Sequence, residues 1–100
     1  MKLVITPRAE DDLANQFDFG ERRFGRAVAE RTLKRVHDYL ATTLLAHPRI
    51  GLYHPEIKSF ETWIPKTPFV VFYRLDDDAG ALIVLAPYHH AQDRSAFIAD

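Results

Sequence analysis

Alternation of apolar and polar positions opens the chain and three-and-four spacing replaces it from the seventh residue on. Residues 2–6 (KLVIT) place Leu3 and Ile5 on one side of a short strand closed by Pro7. Thr6-Pro7 reads as a helix start, since a threonine can cap the first free amides and a proline at the first helical position loses no intrahelical bond. Glu10, Asp11 and Asp12 suit the positive end of the helix dipole. Ala9, Leu13, Phe17 and Phe24 fall close to one stripe, with Gly20 and Gly25 as weak points. The pattern resumes at Arg26 through Ala29, Leu33, Val36, Leu40, Thr43 and Leu44 to Ala46, and Pro48 forbids continuation. A short link around residues 24–26 makes the two helices an antiparallel hairpin.

Residues 47–56 (HPRIGLYHPE) hold two prolines and a glycine and read as a loop. Three strand candidates follow: 57–64 (IKSFETWI), 69–75 (FVVFYRL) and 81–86 (ALIVLA). The second is apolar on both faces, which suits a central strand. Pro65 and Pro68 bracket the turn before it, and Asp76 to Gly80 have the chemistry of a hairpin tip. The expected fold is α+β: an N-terminal strand, an antiparallel helical hairpin, then a three-stranded antiparallel meander, with the helices packed on one face.

Composition narrows the class. At 100 residues there is room for one domain, residues 1–100, and 47% apolar with 27% charged residues is a globular balance. The net charge of −1 implies no bulk attraction to nucleic acid or membrane. With no cysteine, disulfides, thiol catalysis and cysteine-ligated zinc are excluded. The first twenty residues are too polar for a signal sequence and no apolar run is long enough to cross a bilayer, so a cytoplasmic protein is expected.

The candidate chemistry centres on residues 87–94 (PYHHAQDR). Neighbouring side chains in an extended segment point to opposite faces, so His89 and His90 do not share one ion or proton. In a helical turn His89 would instead meet Asp93 at i, i+4. His37, His47 and His54 lack metal-ligand spacing, and Asp76 to Asp78 lack the calcium-loop order, so no metal and no cofactor are expected. Residues 21–35 (ERRFGRAVAERTLKR) carry six basic and two acidic side chains, a local charge of about +4 that suits a solvated helix face with a Glu30–Lys34 pair. Phe69, Phe72, Tyr73 and Trp63 are better explained by burial in the core than as base-stacking platforms.

Four segments in one order, LVITPRAEDDL (3–13), HPRIG (47–51), FVVFYRL (69–75) and IVLAPYHHAQD (83–93), resemble the ParE branch of the ParE/RelE toxin superfamily of bacterial toxin–antitoxin systems. The resemblance spans nearly the whole chain. It implies a toxin silenced in a hetero-oligomer by a cognate antitoxin, with DNA gyrase as target, as in plasmid stabilization, and no membrane partner. RelE-like members instead cut mRNA on the ribosome. That activity needs a cation to stabilise the transition state and an acid or base on each side of the scissile bond. Nuclease-type relatives carry an arginine on the central strand before a tyrosine, whereas here Phe69 to Tyr73 has none and the first is Arg74. The resemblance therefore favours a binder. A nuclease would have to use His89 or Tyr88 with Arg74 or Lys66, and a binder's target-contacting residues are taken as Arg22, Arg23, Arg26, Gln92, Asp93 and Arg94.

Overall fold

The Thr6 side chain accepts a hydrogen bond from the Ala9 amide at 3.2 Å, and Pro7 occupies the first helical position. The chain is seen in a computed structural model that describes residues 1–89. Strand β1 (Lys2–Ile5) leads into α1 (Pro7–Phe24), which ends where Gly25 takes a φ of 92°, a conformation costly for any residue with a Cβ. Helix α2 (Arg26–Asp38) starts at once and runs into a π-helical turn, Tyr39–Leu44, that buries Leu40 and Leu44. Charge pairing along α2 differs from the expected one. Glu30 binds Arg26 at 2.8 Å and Lys34 binds Asp38 at 2.7 Å, because each carboxylate has a basic residue four positions away that is equally within reach.

Strands β2 (Leu52–His54), β3 (Ser59–Trp63), β4 (Phe69–Asp76) and β5 (Ala81–His89) complete a mixed five-stranded sheet in the order β1-β5-β4-β3-β2. The expected meander is β3, β4 and β5, all antiparallel. Two strands extend it. β1 returns beside β5 in parallel, pairing Lys2 with Ala81 through Ile5 with Val84. β2 lies within the segment read as a loop, where Leu52 to His54 pair with Glu61 to Ser59. A three-residue strand beside prolines has too short a pattern to announce itself. β5 also runs three residues past Ala86, through Pro87. There it has passed the end of β1 and keeps one neighbour, so a proline is tolerated.

Helices and sheet enclose one core of Ala9, Leu13, Val36, Leu40 and Leu44 against Phe60, Ile64, Phe69, Val71, Tyr73, Leu82 and Val84. Two aromatics depart from expectation. Phe24, at the last turn of α1, is 61% exposed with the Arg23 guanidinium over its ring, and Trp63 is 55% exposed at the end of β3. Phe24 stands at the end of its helix, while Trp63 pairs with Val70 and so lies on the face of the sheet away from the helices.

Tyr73 ties the sheet to the returning loop. Its buried hydroxyl donates to the Pro48 carbonyl at 2.8 Å and accepts from the Gly51 amide at 3.2 Å. Gly51 fits so closely that a Cβ there would lie 2.7 Å from the Glu61 carbonyl oxygen and 2.9 Å from the phenol. Burial, opposed in part by the Gly51 hydrogen bond, raises the phenol above its ordinary value of 10.0. A raised folded value means that the native state holds its proton more tightly than the unfolded chain. The contribution to stability is therefore full below pH 10.0 and is lost as pH rises through the raised value. Tyr73→Phe should cost about 1–3 kcal/mol at neutral pH. In urea titrations the gap to the wild type should narrow at alkaline pH.

Candidate functional site

The end of β5 carries the residues the sequence singled out, and the strand pleat separates them. His89 pairs in register with Phe69, its ring edge-on to that phenyl at 5.7 Å, on the face beneath the helices. Tyr88 pairs with Val70 on the outer face and meets Phe72 edge-on at 5.8 Å, while its hydroxyl accepts a hydrogen bond from Arg8 at 3.3 Å. The two side chains thus serve opposite faces. Arg74 pairs with Ile83, five residues along β4 from Phe69, or roughly 16 Å at strand spacing. Lys66 lies in the β3–β4 turn at the His89 end, with a φ of 63° and its carbonyl accepting from Arg35. His89, Tyr88, Arg74 and Lys66 are therefore not gathered around one point.

Of the binder candidates, Arg22 and Arg23 are exposed in the last turn of α1, and Arg26 opens α2. Arg26 is bound to Glu30 at 2.8 Å and lies 3.9 Å from Glu21. The hydrogen bond and charge of Glu30, then the charge of Glu21, raise its pKa further, so its charge is answered locally. Gln92, Asp93 and Arg94 lie outside the described residues, as does His90.

Two arrangements escaped sequence reasoning. On the outer face, His54 of β2 places Nε2 3.0 Å from Glu61 Oε1 and Nδ1 3.3 Å from Glu56 Oε1. Its ring lies 6.0 Å from Phe72, and Glu61 is buried. With both ring nitrogens engaged, this is a clasp holding β2 to β3 and not a base facing a substrate. The only hint in the sequence was an acidic residue, Glu61, between Phe60 and Thr62 in a strand candidate. Among the described residues no group of three or more His, Asp or Glu side chains is placed to hold a metal ion, and no helix is long and apolar enough to cross a membrane.

The second is an apolar groove of about 240 Å³ between the helical hairpin and the His89 end of the sheet. Phe17, Phe24, Val28 and Leu33 line it from the helices, and Phe69 and His89 from the sheet. An open apolar groove of this kind accepts an amphipathic segment laid along it.

The family described as ParE toxin of type II toxin-antitoxin system, parDE, matches residues 3–94. This chain belongs to the ParE toxin family. Similar folds include the chromosomal ParDE TA system from P. aeruginosa, with a TM-score of 0.75 at 18% identity, covering 89% of this chain and 95% of that one. The RelBE2 toxin–antitoxin complex from Mycobacterium tuberculosis gives 0.68 at 20% identity over 88% of this chain and 95% of that one. The intact E. coli RelBE complex gives 0.56 at 17% identity over 92% and 98% respectively. At such identities the likeness is one of fold, and it embraces both ParDE and RelBE proteins. No curated protein sequence matches significantly. The α+β architecture of this ParE-family toxin is thus the one its sequence resemblance implied.

Within it the His54–Glu61 clasp should be structural. His54→Ala takes a partner from a buried carboxylate and should cost about 1–3 kcal/mol in chemical denaturation. A double-mutant cycle with Glu61→Gln should show coupling between the two positions.

Proposed function

We propose that this ParE-family toxin acts by binding DNA gyrase, without chemistry of its own, and is held inactive in a hetero-oligomer by a cognate antitoxin in the bacterial cytoplasm. The observation that carries the reading is the burial of Phe69 to Tyr73. A nuclease of the RelE kind needs a cation beside its acid and base. Here the matching strand positions are apolar, and Tyr88 and His89 turn to opposite faces, each packed on a phenylalanine. A binder needs only surface complementarity and a preference for one conformation of its target, held so that the catalytic cycle cannot finish. The ParDE and RelBE assemblies among the similar folds support an antitoxin partner, and in this reading the apolar groove is its seat.

Purified toxin should inhibit gyrase supercoiling and leave ribosome-bound mRNA intact. Cleaved mRNA with undisturbed supercoiling would sink the proposal. His89→Ala should retain inhibition within about threefold, since a packing residue is not a catalyst. For the groove, Val28→Asp puts a charge where an apolar partner would dock, at a site already exposed enough to spare the fold. It should weaken antitoxin capture by about tenfold or more in calorimetric titration.

A further inference from the structure

The hairpin arginines are not the chain's only basic surface. At the far end of the sheet from His89, an open cleft of about 500 Å³ is lined by Arg49, Tyr53, Lys58, Phe60, Arg74 and Asp77. That volume lies within the range of roughly 300–1,000 Å³ usual for small-ligand sites. Two cations, Arg49 and Lys58, and one carboxylate meet there, in a chain whose net charge is −1, while Arg74 stands at the rim on the opposite face of β4 from Tyr73 and Phe60. The two cations come from separate segments: Arg49 from the loop that the Tyr73 hydroxyl holds, and Lys58 from the β2–β3 turn.

Two features give the cleft a chemistry beyond its charge. Tyr53, 47% exposed, backs onto Phe60 with ring centroids 4.9 Å apart, so a rigid aromatic face stands beside the cations. Lys58 adopts a φ of 51°, a left-handed conformation that a lysine enters at a cost and that glycine would take freely. The cleft already has one anion within it. Asp77 lies 3.6 Å from Arg49, and both side chains are largely solvated, so the pair is weak and a stronger anion can displace it.

We infer that this cleft binds a single-stranded nucleic-acid segment, with Arg49 and Lys58 on its phosphates and Tyr53 as the stacking face for a base. Cations tracking a backbone beside an exposed aromatic ring are the means by which proteins hold single strands without reading sequence. An acidic peptide would be drawn by the same charges and would gain nothing from the ring. The inference goes beyond the proposed gyrase target and does not depend on it.

Fluorescence anisotropy of the full chain with a labelled oligothymidylate, and separately with an oligouridylate, tests it. Binding should weaken with added salt, with a slope of about 1.4 in log–log form for about two phosphate contacts. The double variant Arg49→Ala, Lys58→Ala should lose about tenfold or more, and Tyr53→Ala about fivefold or more. Removing equal charge from the helices with Arg22→Ala, Arg23→Ala should change affinity far less. Asp77→Asn, which threatens no packing, should tighten binding more than Asp78→Asn at equal net charge. Preference for one oligonucleotide identifies DNA or RNA as the natural source. The inference is overturned if the wild type binds neither strand at low salt, or if the helical double variant loses as much as the cleft double variant. It is also overturned if oligoglutamate competes as well as the oligonucleotides, or if Asp77→Asn and Asp78→Asn behave alike.

Discussion

Strand β4 is buried on both faces from Phe69 to Tyr73, and most of the molecule can be understood as the consequence. A strand with apolar side chains above and below cannot stand at an edge, so it must have a neighbour on each side, here β3 and β5. Its helix-side residues Phe69, Val71 and Tyr73 need a layer above them, which the hairpin and the π-helical turn provide through Leu13, Val36, Leu40 and Leu44. Burying a side chain of this size stabilises the fold by about 1.5–3 kcal/mol. Tyr73 brings one polar atom into that core, and an unsatisfied hydroxyl there would be costly. The Pro48 carbonyl and the Gly51 amide satisfy it, and in doing so they fix the loop from which β2 and Arg49 depart.

The same constraint shapes what the surface can do. The middle of the strand, Phe69 to Tyr73, is given over to the core and offers no open surface. What remains available lies at its two ends. At one end an apolar groove opens between Phe17, Val28 and Phe69, suited to an amphipathic partner. At the other, β4 and the β2–β3 turn line a charged cleft with an aromatic wall. One chain thus offers two surfaces of opposite character, separated by the core that holds both in place.

Several features were legible because they are local. The Thr6 cap, the Pro7 helix start and the break at Gly25 rest on backbone preferences that no tertiary contact has to supply. Residues 69–75 announced a central strand through continuous hydrophobicity, and the hairpin tip through its aspartates and glycine. Other features were hidden because they depend on distance in space. Phe24 and Trp63 look like core residues in any pattern, yet Phe24 ends its helix exposed and Trp63 lies on the sheet face away from the helices. Glu30 had basic residues four positions away on both sides, and spacing alone cannot choose between them. His54 and Glu61 face each other only once β2 pairs with β3, and β2 is too short to carry a pattern of its own.

By itself, then, the sequence determined the order and kind of the main elements, the central place of β4, and membership of a family whose motifs lie along almost the whole chain. Such properties follow from periodicity, capping and turn chemistry, which act within a few residues. Tertiary structure alone decided that β1 would join β5 in parallel and that Tyr88 and His89 would serve opposite faces of one sheet. It also drew Arg49, Tyr53 and Lys58 from three segments to one cleft. The reason is physical: sheet register and the meeting of separate loops are set by which buried faces must be covered, a condition satisfied by the folded chain as a whole.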